Sequence, residues 1–99
     1  MASAEGQDRE KDQVETVCRV CGFEGEVFWE GRWPNEAVIC PCCGNEPDVG
    51  DAGVTGLRTY RGYWLGHGAP WSSPLAEREH KRRGWDLLKQ VQNIPPQWR

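Results

Sequence analysis

Apolar positions begin late in this chain. Residues 1–13, MASAEGQDREKDQ, are polar and charged with no apolar periodicity, so they are expected to form a disordered tail. From Val14 the pattern changes. Val14 to Cys18 predicts a short strand and GEVFWE, Gly25 to Glu30, a second. GRWPNE reads as a loop, and AVIC, Ala37 to Cys40, as a returning strand, so a β-hairpin is expected. After an acidic, glycine-containing loop over 46–53, the period lengthens. Leu57, Tyr60 and Trp64 recur at i, i+3 and i+7, which marks one apolar face of a helix. Thr55 is its expected N-cap, and Gly66 and Gly68 stand where it should stop. Pro70 and Pro74 limit any helix in GAPWSSP. LAEREHKRR allows one or two charged helical turns. Asp86 should cap a second apolar helix, with Leu87, Leu88, Val91 and Ile94 on one side and Pro95-Pro96 ending it.

The expected fold is therefore α+β: one domain over 14–99, with a ribbon over 14–53 and a helical part over 54–99. Composition makes that domain thin. The chain has 99 residues, of which 37% are apolar. Small chains bury a modest core and often need a metal or disulfides as a staple. Ordering each residue opposes folding by roughly 1–2 kcal/mol of backbone entropy. Large side chains offset part of this. Trp64, Trp71 and Trp85 are expected to pack the helices onto the ribbon, since each tryptophan buries about 150–250 Å². The alternative for them is a stacking platform for bases.

The staple is legible in the cysteines. Cys18-x-x-Cys21 and Cys40-x-x-Cys43 are separated by 18 residues, inside the spacing of zinc-ribbon pairs. Two residues between ligands let both thiolates of one turn face the same ion. Gly22 and Gly44 follow the pairs, where the turn calls for positive φ. Two such turns give a closed site of four thiolates, with no open position for a substrate water. Zinc held this way supplies folding energy rather than hydrolysis. Cys42 is the sulfur left over, either a passive thiol or one with a redox or metal-exchange role. Iron is the competing metal. Cys-x-x-Cys-Gly followed by Cys-Pro-x-Cys-Gly resembles the knuckles of rubredoxins, which would imply one-electron transfer. Rubredoxins carry a longer segment between their pairs and lack an aromatic, helical C-terminal half.

The order of the motifs CRVCGF (18–23), ICPCCG (39–44), GVTGLRTYRGYW (53–64), GAPW with SSP (68–74) and GWDLLKQVQNIP (84–95) resembles a group of small bacterial proteins with cysteine-rich, CPCC-type zinc ribbons. Most are uncharacterised, and some relatives are thought to be immunity proteins of toxin systems. The resemblance implies a fold more than an activity.

Charge then narrows the function. The net charge is −3. Residues 18–57 hold seven acids against Arg19 and Arg32, whereas residues 77–99 hold six bases and three acids. The cysteine-bearing half is acidic, a poor footprint for a phosphate backbone. The expected role is non-catalytic binding of a protein partner by the hairpin, through Trp29, Trp33, Glu24, Glu26, Glu30 and Glu36. Local packing is the other reading of the two tryptophans. Nucleic-acid binding would use Arg78, Lys81, Arg82 and Arg83. That run, with His80 inside it, reads otherwise as a solvated face. His67, between two glycines at a helix end, suits a contact with the helix dipole better than a metal. No nucleophile–base–orienter set, phosphate loop or dinucleotide turn is recognisable, so no enzyme is expected. No apolar run approaches the roughly 20 residues of a membrane span, and the polar start lacks a signal core. The expected setting is cytoplasmic, without a membrane partner.

Overall fold

A computed structural model describes residues 13–99. The tail expected over 1–13 lies, but for Gln13, outside the described residues. Among these, three antiparallel strands form one sheet in the order β1-β2-β3: β1 is Val14–Val17, β2 Glu24–Glu30 and β3 Trp33–Pro34. Three helices follow, α1 over Val54–Gly66, α2 over Pro74–Arg82 and α3 over Leu87–Val91, then a 3-10 turn at Pro96–Trp98. The expected α+β architecture is present. No helix among the described residues is long and apolar enough to cross a membrane.

The first cysteine turn is itself the connection between β1 and β2. Val17 pairs with Glu24 across it, and a bulge between Glu15 and Val17 shifts the register. The returning strand is not where the apolar run AVIC places it. β2 turns at Gly31 (φ +63°), and the pairing is Trp29 with Pro34 and Glu30 with Trp33. Asn35 then ends the ladder. Its N–H donates to the Phe28 carbonyl at 2.9 Å, its Nδ2 donates to the Val27 carbonyl at 2.8 Å, and its Oδ1 accepts from the Ala37 N–H at 3.0 Å. Ala37–Cys40 therefore runs to the second cysteine turn without strand partners. A short polar side chain that bonds its own backbone competes with the sheet and wins here.

The helices depart from expectation at their ends and faces. Gly53, not Thr55, is the N-cap of α1, and it supplies no side-chain bond. Gly68 (φ +88°) follows the C-terminus, as expected. GAPWSSP is free of helix up to Ser73, as expected, and α2 begins at its last residue: the Ser73 side chain accepts from the Ala76 N–H at 3.2 Å and Pro74 takes the first helical position. Proline suits that position because its missing N–H would have no partner anyway. Asp86 caps α3 as expected, accepting from the Leu88 N–H at 2.9 Å. Leu88, however, points outward at 70% exposure, and Gln90 is buried in its stead.

The core centres on Val20, Phe23, Phe28, Trp29, Leu57, Trp64 and Ile94, together with all five cysteines. Each such apolar side chain contributes roughly 1.5–3 kcal/mol when buried. Tryptophans attach the helices. Trp64 is buried and its Nε1 donates to the Pro70 carbonyl at 2.9 Å. Trp71 meets Trp85 at 5.2 Å and Phe23 at 6.1 Å between ring centroids, both edge to face. His80 sits between Phe23 and Trp71, at 5.1 and 5.3 Å. The REHKRR run is thus not wholly a solvated face: its histidine belongs to the aromatic cluster.

Candidate metal centre

The two cysteine turns have the same backbone. In the first, the Cys18 N–H donates to the Phe23 carbonyl at 2.8 Å and the Gly22 N–H to the Cys18 carbonyl at 2.9 Å. In the second, the Cys40 N–H donates to Asn45 at 2.9 Å and the Gly44 N–H to Cys40 at 3.0 Å. Both closing glycines have positive φ, +84° at Gly22 and +79° at Gly44, a region that side chains with a Cβ rarely adopt.

These turns bring four sulfurs together. The Sγ atoms of Cys18, Cys21, Cys40 and Cys43 lie within 4.8 Å of one another, and all four residues are buried. Cys18 Sγ is 3.7 Å from Cys43 Sγ, and Cys21 Sγ is 3.6 Å from Cys40 Sγ. Four thiolates at about 2.3 Å from a central zinc stand about 3.8 Å apart along a tetrahedral edge. The separations fit that figure and are far beyond the roughly 2.05 Å of a disulfide. All five cysteines are free. The quartet could hold one metal ion. Among the described residues no other group of His, Cys, Asp and Glu comes together in this way, so neither His67 nor His80 joins it.

The thiols of the quartet are pushed in different directions. Burial pushes the Cys21 thiol well above its ordinary value, and hydrogen bonding to Cys18 pushes Cys43 up. Hydrogen bonds from Cys18 and Cys21 hold Cys40 low. Cys21 and Cys43 therefore resist ionising unaided. A divalent ion reverses that, because a coordinated thiol loses its proton outright.

The surroundings of the quartet include residues the sequence did not single out. Gln90 Nε2 donates to the Cys21 carbonyl at 3.2 Å and to Cys42 Sγ at 3.3 Å, while Gln90 Oε1 accepts from Trp85 Nε1 at 2.6 Å. Cys42 is fully buried, and hydrogen bonding to Cys21 holds its thiol below the ordinary value. Arg61 donates to the carbonyls of Val20 at 2.6 Å, Arg19 at 2.9 Å and Trp98 at 2.7 Å. Asp51, buried, accepts from Trp29 Nε1 at 3.2 Å, Asn45 Nδ2 at 3.1 Å and the Asp48 N–H at 2.6 Å. Asn45 and Asp51 flank an acidic loop, and nothing in its composition separates the buried carboxylate from the exposed ones. Gln90 and Arg61 act over about 40 to 70 residues of sequence, beyond the reach of any local pattern.

The expected docking residues divide. Trp29 is 7% exposed, so it does not present a face to a partner. Its ring stacks on Arg19, whose Cζ lies 4.0 Å from the Trp29 centroid and 3.8 Å from that of Trp98. The same Arg19 pairs with Glu15 through two bonds at 2.8 and 2.7 Å. A guanidinium between two rings with a carboxylate at its edge gives an indole on a hairpin something to pack against. Trp33, one turn further, is 75% exposed. Glu24, Glu26, Glu30 and Glu36 are exposed, and none of them forms an ion pair among the described residues. Arg78, Lys81, Arg82 and Arg83 lie exposed on and just after α2, with Lys81 held by Glu77 at 2.7 Å.

No protein-family model matches this chain, and no curated protein or solved structure shows significant similarity to it.

Proposed function

We propose that the four thiolates of Cys18, Cys21, Cys40 and Cys43 hold a single zinc ion whose role is structural, and that the chain is a non-catalytic module that binds a protein partner. One observation carries the reading: four buried sulfurs gathered within 4.8 Å of one another, two of the separations at 3.6 and 3.7 Å, all supplied by the chain. Such a site is closed, so the ion contributes folding energy rather than a reactive position. Zinc is preferred to iron because the segment between the pairs is shorter than in rubredoxins.

The partner-binding part rests on Trp33 and the exposed acids of β2 and its turn. An exposed tryptophan among carboxylates that form no ion pair among the described residues suits a basic protein surface. Trp29 has no direct part in this face. The resemblance to CPCC-type ribbons extends the reading to an immunity role, with the acidic face covering a basic toxin surface.

Metal analysis of the protein as purified should find one zinc per chain. A red colour that bleaches on reduction would assign iron instead. For the partner, the wild-type chain should recover one stoichiometric protein from the cells that make it. Recovery should fall with Trp33→Ala and fall again with Glu30→Lys. Equal recovery by wild type and both variants would reject this face.

A further inference from the structure

The second turn offers three sulfurs, Cys40, Cys42 and Cys43, and the ion has room for two of them. Spacing favours Cys40 and Cys43, but it does not by itself hold a third sulfur of the same turn away. Cys42 is fully buried and adjoins the ligand Cys43 in the chain, in the same turn that faces the ion. It is therefore close enough to compete. One side chain engages it from the opposite half of the molecule. Gln90, on α3, is 7% exposed and uses both ends of its amide. Nε2 reaches Cys42 Sγ at 3.3 Å and the Cys21 carbonyl at 3.2 Å. Oε1 is pinned by Trp85 Nε1 at 2.6 Å, which fixes which end of the amide is the donor.

We propose that Gln90 selects the ligand set: by holding the Cys42 sulfur in a hydrogen bond, it keeps the fifth thiol out of the coordination and reserves the ion for Cys18, Cys21, Cys40 and Cys43. An amide N–H suits this task. It satisfies a buried sulfur without competing for the metal, and its second bond ties that sulfur to the backbone of the first turn. Gln90 is thus a positioning residue for the site. Partners in the layer around a metal site commonly influence affinity about 10- to 100-fold. The inference rests on the metal reading above.

The test uses the full chain loaded with cadmium-113, whose NMR shift reports the number and geometry of its thiolates. Wild type should give one resonance in the all-thiolate range. Gln90→Leu should give a second resonance, from chains in which Cys42 replaces a second-turn neighbour, and zinc affinity should drop about 10-fold or more. The double variant Gln90→Leu/Cys42→Ser should return to one resonance. Were Gln90→Leu too damaged to fold, Trp85→Phe is the gentler probe: it leaves Gln90 in place, frees its Oε1, and should yield the same second resonance at lower intensity. A single unchanged resonance in whichever of these variants folds would overturn the proposal. So would a second resonance that survives removal of Cys42, because looseness rather than competition would then be its cause. A wild-type chain that takes up no cadmium would sink the metal reading itself, a result distinct from both.

Discussion

The two cysteine turns share a backbone and differ in what braces it. The first is held from far away. Arg61 of α1 donates to the carbonyls of Arg19 and Val20, Gln90 of α3 to that of Cys21, and Asn93 to that of Gly22. The second is braced mostly by nearer chain. Asn45 and Asp51 close the loop behind it, the Ser72 and Ser73 N–H groups donate to Pro41 at 3.1 and 2.8 Å, and the Tyr60 hydroxyl donates to the Cys43 carbonyl at 3.1 Å. The same local motif can therefore serve two purposes. One copy is the anchor on which the C-terminal helix and tail dock. The other is carried by the loop behind it, by Tyr60 of α1 and by the serines ahead of α2.

Removing the metal proposed for the quartet should erase the comparison altogether, and this is the largest effect expected. Structural zinc supplies roughly 10–16 kcal/mol in small zinc-finger peptides, against a net stability of about 5–15 kcal/mol for ordinary domains. Both turns should be lost in one cooperative step as a chelator is titrated, followed by tryptophan fluorescence and near-UV circular dichroism. Unchanged spectra after full chelation would show that the ion is not the staple.

The glycines should separate the turns. A Cβ on Gly22 would overlap the Gln90 carbonyl oxygen, whereas one on Gly44 would lie 3.6 Å from the Ser72 side chain, an ordinary contact. Both alanine variants bear the left-handed backbone penalty of roughly 1–2 kcal/mol. Gly22→Ala should lose about 1–3 kcal/mol more, the usual scale of overpacking. Denaturant midpoints of the metal-loaded variants give the difference, and equal midpoints would show that α3 yields without cost.

Next in size are the braces themselves. Arg61→Met should cost about 1–3 kcal/mol by leaving carbonyls of the first turn unpaired. It should speed hydrogen exchange at the Cys18 and Gly22 amides more than at Cys40 and Gly44. Asp51→Asn should cost a similar amount, because a new N–H then faces the donors of Trp29 and Asn45. It should reverse the exchange pattern. Identical exchange profiles in the two variants would mean that the turns behave as one unit.

The smallest effect should come from Trp33→Ala. At 75% exposure the change should stay within about 0.5 kcal/mol of stability. Loss of partner recovery at preserved stability is the outcome that ties this residue to binding.

Much of the molecule was legible in the chain. The paired cysteines with their glycines, the strands at Val14 and Gly25, the cap at Asp86 and the switch to helical period after residue 53 each depend on neighbours a few positions away. The misreadings share another cause. AVIC has strand composition, but Asn35 had already taken the ladder's partners. Leu88 belongs by hydropathy with Leu87 and Ile94, yet the face that docks on the first turn is the one carrying Gln90. Trp29 and Trp33 sit four apart in one hairpin, and only the presence of Arg19 and Trp98 makes one of them a core residue.

On its own, then, the chain of residues determined that two small turns would each offer a pair of sulfurs, because a spacing of three within a turn is short-range geometry that needs no outside help. Tertiary structure decided which indole is inside, which carboxylate is buried, and where the fifth sulfur is held. Those outcomes depend on Arg19, Arg61, Asp51 and Gln90 meeting groups from other elements, and the encounter exists only after the helices have closed over the ribbon.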